Sequence, residues 1–520
     1  MSSKSRKSIS TKYFNSKIIL FVPVLLLIAG STLHYYRGSY GQGPRSFSVS
    51  GADDAHISYR YGWNLAQHGS LSWNESGYRR TEGFSNPLWV YISAVYSLLG
   101  RKDWVHPLMV GTSVLLASGI LLILAKMVIQ ENEGDIKALA GLILAALSPA
   151  IWLHTTSGLE SGVFAIGLAT LAYLAIIAKK DYSYKTYAVI ALTIFLVLLR
   201  SDGFIYIFMV LVGTLIVGQG AWKQILIGLG IGMGILLAWR LVTYGKLLPN
   251  TANAKVNFSV FDRIPVGLKY LVLGTTVAPI VVFLLIALPG LLVGSRRVAL
   301  GMAFVIISWI FYYIYIGGDY LLDRHLAGLI ILCSAVSAPL WSRMRWHAQA
   351  VLLAVVVIGI AATTFFESDR YVYQTKGGND SLVILGKEMA KNRPFYGVFV
   401  TAMAGKVPFY AGGDCIDTYG LNDPYLATIK REQFLPGHSA GSQEIAMQIA
   451  RSHPSGIYSQ YTGLDPVYID NPKMIALWID VLQPQDVVQK GATSDEIRSA
   501  IEEEDYWLIV TAPNQAEANP

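Results

Sequence analysis

Charge is what this 520-residue chain has least of. Asp, Glu, Lys and Arg together make up 14% of it, against 53% hydrophobic residues, and the mean hydropathy is +0.44. Soluble domains carry roughly a quarter of their residues as charges, so this composition excludes an ordinary soluble fold. Cysteine is nearly absent. Cys333 lies in an apolar run and Cys415 in a distant polar one, which argues against a disulfide framework and against a cysteine zinc site. There is no Gly-rich phosphate loop of the P-loop type, no internal repeat and no low-complexity tract. The net charge of +7 is modest, and its cations sit in short clusters between apolar runs. That is the pattern of membrane orientation signals and not of a nucleic-acid surface.

What the chain has instead is long apolar runs. Candidate membrane spans fall near 18–36, 106–127, 138–153, 160–178, 186–199, 204–218, 224–243, 267–294, 298–316, 326–340 and 350–366. The fold class expected is therefore a mainly α, polytopic membrane protein of about eleven transmembrane helices. Lys4, Arg6, Lys7, Lys12 and Lys17 precede Ile18–Ala29 with no clear small-residue cleavage site, so the expectation is an uncleaved first span that starts in the cytoplasm. The run Pro87–Gly100 is short for a crossing and fits an interfacial helix better.

That reading sets which loops share a side. If 87–100 does not cross, Lys126–Lys137, Lys179, Lys180, Lys185, Lys223, Arg296, Arg297, Arg343 and Arg345 all fall in short cytoplasmic loops, as the positive-inside rule expects. The loops at 37–105, 154–159, 200–203, 244–266 and 317–325, and everything after 366, then face outward. Two domains follow: 1–366 in the membrane, with the first outer loop 37–105 carrying juxtamembrane helices, and 367–520 as an extracytoplasmic, periplasmic α/β domain. In the second, short β-like runs (Val398–Thr401, Gly456–Ser459, Trp507–Thr511) alternate with helix-like ones (Ser442–Arg451, Ser494–Glu504).

The outward loops hold the unusual chemistry. Asp53 and Asp54 open ADDAHISYRYGWNLAQHG just past the first span. One carboxylate could take the proton of an attacking hydroxyl while its neighbour orients it or raises its pKa, and the pair could hold a divalent cation. The bland alternative is a helix N-cap. His56, Tyr59 and Arg60 follow as candidate substrate contacts, although aromatics and Arg also sit at headgroup level for structural reasons. Glu82 and Asn86, in YRRTEGFSNPLW with Arg79 and Arg80, suit a sugar or phosphate and equally a solvated loop. Glu160 begins an apolar segment after His154, Thr155 and Thr156, where a carboxylate is costly unless it meets a cavity or a partner. Arg200 is either a bidentate phosphate clamp or the partner of Asp202. Asn250 and Lys255, with Lys246, lie in YGKLLPNTANAK. In GGDYLLDRHLAG, Asp319 and His325 flank Arg324, which needs an anion at the lipid boundary: a phosphate, Asp319 or Asp323. Acids, bases and amides on one rim of an apolar bundle suit a substrate with an anionic head and a greasy tail.

The ordered set DDAHISYRYGWNLA, EGFSNPLW, SGLES, RSDGF, LPNTANAK, GGDYLLDRHL and VPFYAGGDCIDTYGLND resembles the bacterial GT-C membrane glycosyltransferases, and looks closest to the mycobacterial terminal β-(1→2)-arabinofuranosyltransferase family. The resemblance runs from about residue 50 to 430; beyond that no motif is placed. It implies a polyprenyl-phosphate sugar donor, transfer to a cell-envelope glycan or glycoprotein on the outer face of the bacterial inner membrane, and a catalytic aspartate in the first outer loop, at Asp53 or Asp54. Arg324, with Arg200 or Lys255, would contact the donor phosphate. The chain is shorter in its tail than that family's mycobacterial member, which bears on the acceptor, and related subfamilies use other sugars. A flippase for lipid-linked sugars would place ionisable residues at both ends and mid-span, which is not the pattern here. An oligosaccharyltransferase that modifies surface proteins stays open. No resident cofactor is expected beyond that divalent ion, and no nucleic-acid partner.

Overall fold

The computed structural model describes residues 18–40, 51–178, 185–218, 221–255, 258–277, 280–293, 295–319, 324–366, 398–401, 403–435 and 438–442, short pieces within 382–390 and 445–449, and four later strands. In chain order the helices are α1 (Val22–Tyr40), α2 (Asp53–His68), α3 (Pro87–Ser97), α4 (Lys102–Glu131), α5 (Ala140–Ala146), α6 (Pro149–Thr156), α7 (Ser161–Ala172), α8 (Lys185–Leu199), α9 (Gly203–Val217), α10 (Ala221–Tyr244), α11 (Asn250–Lys255), α12 (Val260–Val277), α13 (Ile280–Val293), α14 (Arg296–Tyr315), α15 (Ala327–Val336), α16 (Ala338–Arg343), α17 (Trp346–Phe366) and α18 (Lys406–Ala411). The strands are β1 (Val398–Thr401), β2 (Cys415–Asp417), β3 (Lys430–Leu435), β4 (His438–Ala440), β5 (Tyr458–Tyr461), β6 (Met474–Ile479), β7 (Val488–Lys490) and β8 (Leu508–Pro513). They divide into two compact units. One draws on 1–37, 110–238 and 263–372; the other joins 38–109 and 239–262 to the chain from 373 onward.

The first unit is helical. By length and composition α4, α10 and α14 can each cross a membrane, and the segment Ile136–Ala146 with α6 makes a fourth crossing if its 63° bend is part of one span. The other apolar helices are shorter. The sequence reading expected one unbroken run over 138–153, but Pro149 stands at the first turn of α6, where its fixed φ suits a helix start and its ring disfavours helical backbone before it. The run at 326–340 likewise splits between α15 and α16 at Ser337. On α10, Leu226, Ile227, Ile231 and Ile235 point outward. Apolar surface of that kind belongs against lipid, where a helix satisfies its own backbone. Inside, α9 crosses α14 at Gly213 and Gly301. A Cβ on Gly301 would stand 2.6 Å from the Gly213 carbonyl oxygen, so the two backbones meet because neither carries a side chain.

The second unit combines α2, α3 and α11 with α18 and the strands. α3 has 11 residues, about 16 Å of helix. It packs on α2 where Ser93 Oγ donates to the Ser58 carbonyl. The main sheet runs β2-β1-β5-β8-β6-β7, with β1 parallel to β2 and β5 and the later pairs antiparallel; β3 and β4 form a separate pair. β1 (VFVT) is buried along its whole length, as an inner parallel strand should be. Its alternation gives two cores. Phe399 and Cys415 face Ile57, Tyr61, Trp73, Val407 and Leu421, whereas Val398, Val400 and Ile416 face Leu426, Ala446 and Ile449.

Candidate functional site

In the second unit the chemistry gathers at the start of α2. Gly51, at φ 56°, turns the chain, and Ala52 is the N-cap with no side-chain bond of its own. Asp53 and Asp54 occupy the first turn, where the helix dipole favours carboxylates. Asp53 does cap a helix, but not its own. Its Oδ2 accepts from Gly405 N at 3.0 Å and its Oδ1 from Lys406 N at 2.7 Å, at the start of α18. A Cβ on Gly405 would lie 1.8 Å from the Asp53 carbonyl oxygen, so only glycine fits there. The Lys406 side chain is buried and its Nζ donates to the Gly51 carbonyl at 2.7 Å. Burial raises the Asp53 pKa above the usual carboxylate value; the Lys406 N–H and ammonium oppose that, and Asp54 adds to it.

His56 lies one turn on. Its Nδ1 is 3.2 Å from the Ala52 carbonyl, and its ring stacks at 5.7 Å on His106 and meets the edges of Tyr59 and Phe409. Burial, Lys406 and His106 hold its pKa well below the ordinary value, so it is a neutral imidazole. Tyr59 Oη is 3.3 Å from His106 Nδ1. Arg60 is buried under the Trp73 ring and donates to the carbonyls of Trp73, Pro408 and Gly413. Expected as a substrate contact, it is a clasp that ties α2 to the 408–413 segment.

Three other expected contacts also bond within the protein. Glu82 forms a buried bidentate pair with Arg240 of α10 (2.8 and 2.9 Å); burial raises the Glu82 pKa and Arg240 opposes. Asn86 accepts from Ser58 Oγ at 2.9 Å. Asn250 Nδ2 donates to the carbonyls of Gly420 and Leu421 at 2.9 Å and of Asp423 at 3.1 Å. Asp423 in turn pairs with Arg79. Asp417, at the end of β2, accepts from Tyr419 N, Asn422 N and Asn422 Nδ2, and burial carries its pKa up to about 6 against those bonds.

The first unit has its own cluster, where α7, α9 and α15 begin and α8 and α14 end. Arg200 donates to Glu160 at 3.0 Å and holds Asp202 bidentately at 3.0 and 2.8 Å. Arg324 pairs with Asp319 at 2.7 Å. His325 Nε2 lies 3.7 Å from the same Asp319 oxygen, and its Nδ1 is 2.7 Å from Tyr206 Oη. Burial and Arg200 bring the His325 pKa down to about 3, with Asp319 opposing. Of the open alternatives for Arg200 and Arg324, the acid partner is the one present in each case. The Lys255 side chain and Asp323 lie outside the described residues. So Asp53, Asp54 and His56 come together, Glu82 and Asn250 serve the 240s and 420s, and Glu160, Arg200, Asp319, Arg324 and His325 share one pole.

Sequence reasoning missed Lys406, Arg240, Asp417 and Arg263. Arg240 was detectable as a lone charge inside the apolar run ILLAWRLV, a position that demands a partner. Lys406 gave no signal in AGKVPFY. Among the described residues, no three His, Cys, Asp or Glu side chains gather as a metal site; Asp53 and Asp54 would supply two ligands.

No protein-family model matches this chain, and no curated protein matches it. Solved structures do. The crystal structure of ArnT from Cupriavidus metallidurans bound to undecaprenyl phosphate superposes with a TM-score of 0.56, covering 95% of this chain and 98% of that one at 13% identity. The apo state of the same protein gives 0.56, 94%, 97% and 14%. At such identity the likeness is one of fold. The chain is mostly helical and shares its fold with ArnT along nearly its whole length.

Proposed function

We propose that this chain is an integral-membrane glycosyltransferase of GT-C type. It moves a sugar, with arabinofuranose favoured, from a polyprenyl-phosphate donor to an envelope glycan or glycoprotein on the outer face of the inner membrane. The observation that carries this reading is the Asp53–Asp54 pair. Asp53 is fixed by two backbone N–H bonds, and Asp54 stands beside it in the first helical turn. The motif order supports the same reading, as does a fold shared with a protein whose crystal structure holds undecaprenyl phosphate.

In the proposed step, the acceptor hydroxyl oxygen attacks the anomeric carbon and Asp54 takes the hydroxyl proton. The bond from that carbon to the phosphate oxygen breaks, and polyprenyl phosphate leaves with the electron pair. A positioned general base contributes roughly 10²- to 10⁴-fold. Asp53 is the positioning residue: its own oxygens hold α18, and its charge lies beside Asp54. The donor phosphate is proposed to meet Arg324, with Arg200 or Lys255. The C-terminal strands belong, on this reading, to an extracytoplasmic α/β domain that serves the acceptor.

The test is transfer from labelled polyprenyl-phosphate sugars in membranes. Wild type transfers the label from one donor of a panel, and Asp54→Asn does not. Full turnover by both Asp54→Asn and Asp53→Asn, at normal expression, would overturn the carboxylate mechanism.

A further inference from the structure

We infer that Arg263 is the guanidinium that receives the donor's phosphate; the assignment rests on the glycosyltransferase reading above and specifies its anion site. Arg263 lies in the first turn of α12 and is buried, with 5% of its surface exposed. Its Nε has no hydrogen-bond partner. Its cationic plane rests on the Tyr315 ring at 4.7 Å. Among the described residues no carboxylate pairs with it, which sets it apart from Arg200, held by Glu160 and Asp202, and Arg324, held by Asp319. An isolated guanidinium out of water is costly, and an aromatic face offsets only part of that. The cost is recovered when an anion arrives.

Its place suits a phosphate. Tyr315 ends α14, and Tyr312, one turn earlier, feels Arg263 together with Arg200 and Asp202, so Arg263 belongs to the pole that carries the ion pairs. The paired residues there, Glu160, Asp202 and Asp319 against Arg200 and Arg324, leave an excess of negative charge. With His325 neutral, Arg263 is, among the described residues of this pole, the cation still able to accept an anion without displacing an acid. The chemistry points the same way. A polyprenyl-phosphate sugar is a monoanionic diester, and the leaving polyprenyl phosphate becomes a dianion. A cation at the phosphate therefore binds the transition state more strongly than the donor, and that difference lowers the barrier.

The experiment uses the full chain in detergent with undecaprenyl phosphate as the probe, reading direct binding and the ligand-induced shift in melting temperature for wild type, Arg263→Met, Arg263→Lys and Arg324→Gln. Wild type binds. Arg263→Met melts at or above the wild-type temperature without ligand, because it loses an unpaired buried charge, and binds roughly tenfold to a hundredfold more weakly. Arg263→Lys recovers part of the affinity, and in turnover the Met variant loses more in kcat than it gains in KM. Undiminished binding by Arg263→Met overturns the assignment, and so does failure of that variant to fold, since an arginine the fold requires is a structural one. If the loss appears at Arg324→Gln and not at Arg263→Met, the phosphate sits on Arg324. If wild type itself binds no undecaprenyl phosphate, it is the glycosyltransferase reading that falls.

Discussion

The two neighbouring aspartates should fail in different ways when altered. Asp53 receives two N–H bonds from the start of α18, at 3.0 and 2.7 Å, and lies beside the buried Lys406 ammonium. A hydrogen bond to a charged acceptor is worth about 1.5–3 kcal/mol. Against that stand the burial and the Asp54 repulsion that together raise the Asp53 pKa. A net loss of about 2 kcal/mol is expected for Asp53→Ala, the upper end of the range for losing a helix cap. Asp53→Asn keeps one acceptor oxygen but turns an amide N–H₂ towards the other donor, so about 1 kcal/mol is lost. Asp54→Asn keeps a polar side chain of the same shape in the first turn of α2, and about 1 kcal/mol or less is lost. Its turnover should nevertheless fall by about 10²-fold or more. The assay is thermal unfolding of purified protein in micelles, set beside transfer from the labelled donor. If Asp54→Asn turns over normally while Asp53→Asn is inactive at unchanged stability, the assigned roles are reversed.

Other outcomes follow from single contacts. Glu82→Ala strands the Arg240 guanidinium and should cost about 3–5 kcal/mol, whereas Glu82→Met with Arg240→Met should recover most of that in the same melting assay. Asn250→Ala removes the donor shared by three carbonyls and should cost about 2 kcal/mol, with more frequent proteolytic cleavage near 420. Asp417 and His56 set opposing pH slopes. Asp417 holds its proton up to about 6 in the fold against about 3.8 unfolded, so its contribution is full below about pH 4 and is lost as pH rises through about 6, about 3 kcal/mol in all. His56, depressed in the fold, stabilises above about pH 6.5 and loses that contribution as pH falls. Both effects fall between about pH 4 and 6.5, so melting over that window should show Asp417→Asn gaining stability relative to wild type as pH rises and His56→Gln losing it; parallel curves for wild type and both variants would refute the assignment.

The apolar runs carried the helical unit, because a segment facing lipid or a dry interior has to close its backbone bonds within itself. Run boundaries carried less. Pro149 and Ser337 interrupt stretches that look continuous by hydropathy, since hydropathy is blind to backbone geometry. In the candidate site, local pairs were legible. Arg200 with Asp202 and Arg324 with Asp319 are near neighbours in sequence, and both pairs stood among the expected alternatives. Long-range pairs were not. The sequence offers α2 as the helix for Asp53 to cap, yet its carboxylate serves α18, more than 350 residues later, because the 403–406 turn presents two free N–H groups to it. Glu82 read as a solvated or sugar-binding carboxylate for the same reason: its partner, Arg240, is 158 residues away.

The buried arginines then form a series in which the partner determines the consequence of removal. Arg240 neutralises one carboxylate and Arg200 two, so truncating either strands buried negative charge and must destabilise. Arg60 spends its donors on three carbonyls, and its loss leaves acceptors unmet at the price of a few hydrogen bonds. Arg263 leaves nothing behind except an aromatic face. Substituting methionine at each position and ordering the variants by melting temperature separates arginines that hold the protein together from one that holds something else. Arg240→Met and Arg200→Met should fall lowest, Arg60→Met between, and Arg263→Met at or above wild type. An Arg263→Met that sank with the other three would show a guanidinium required by the fold, with no charge in reserve for a phosphate.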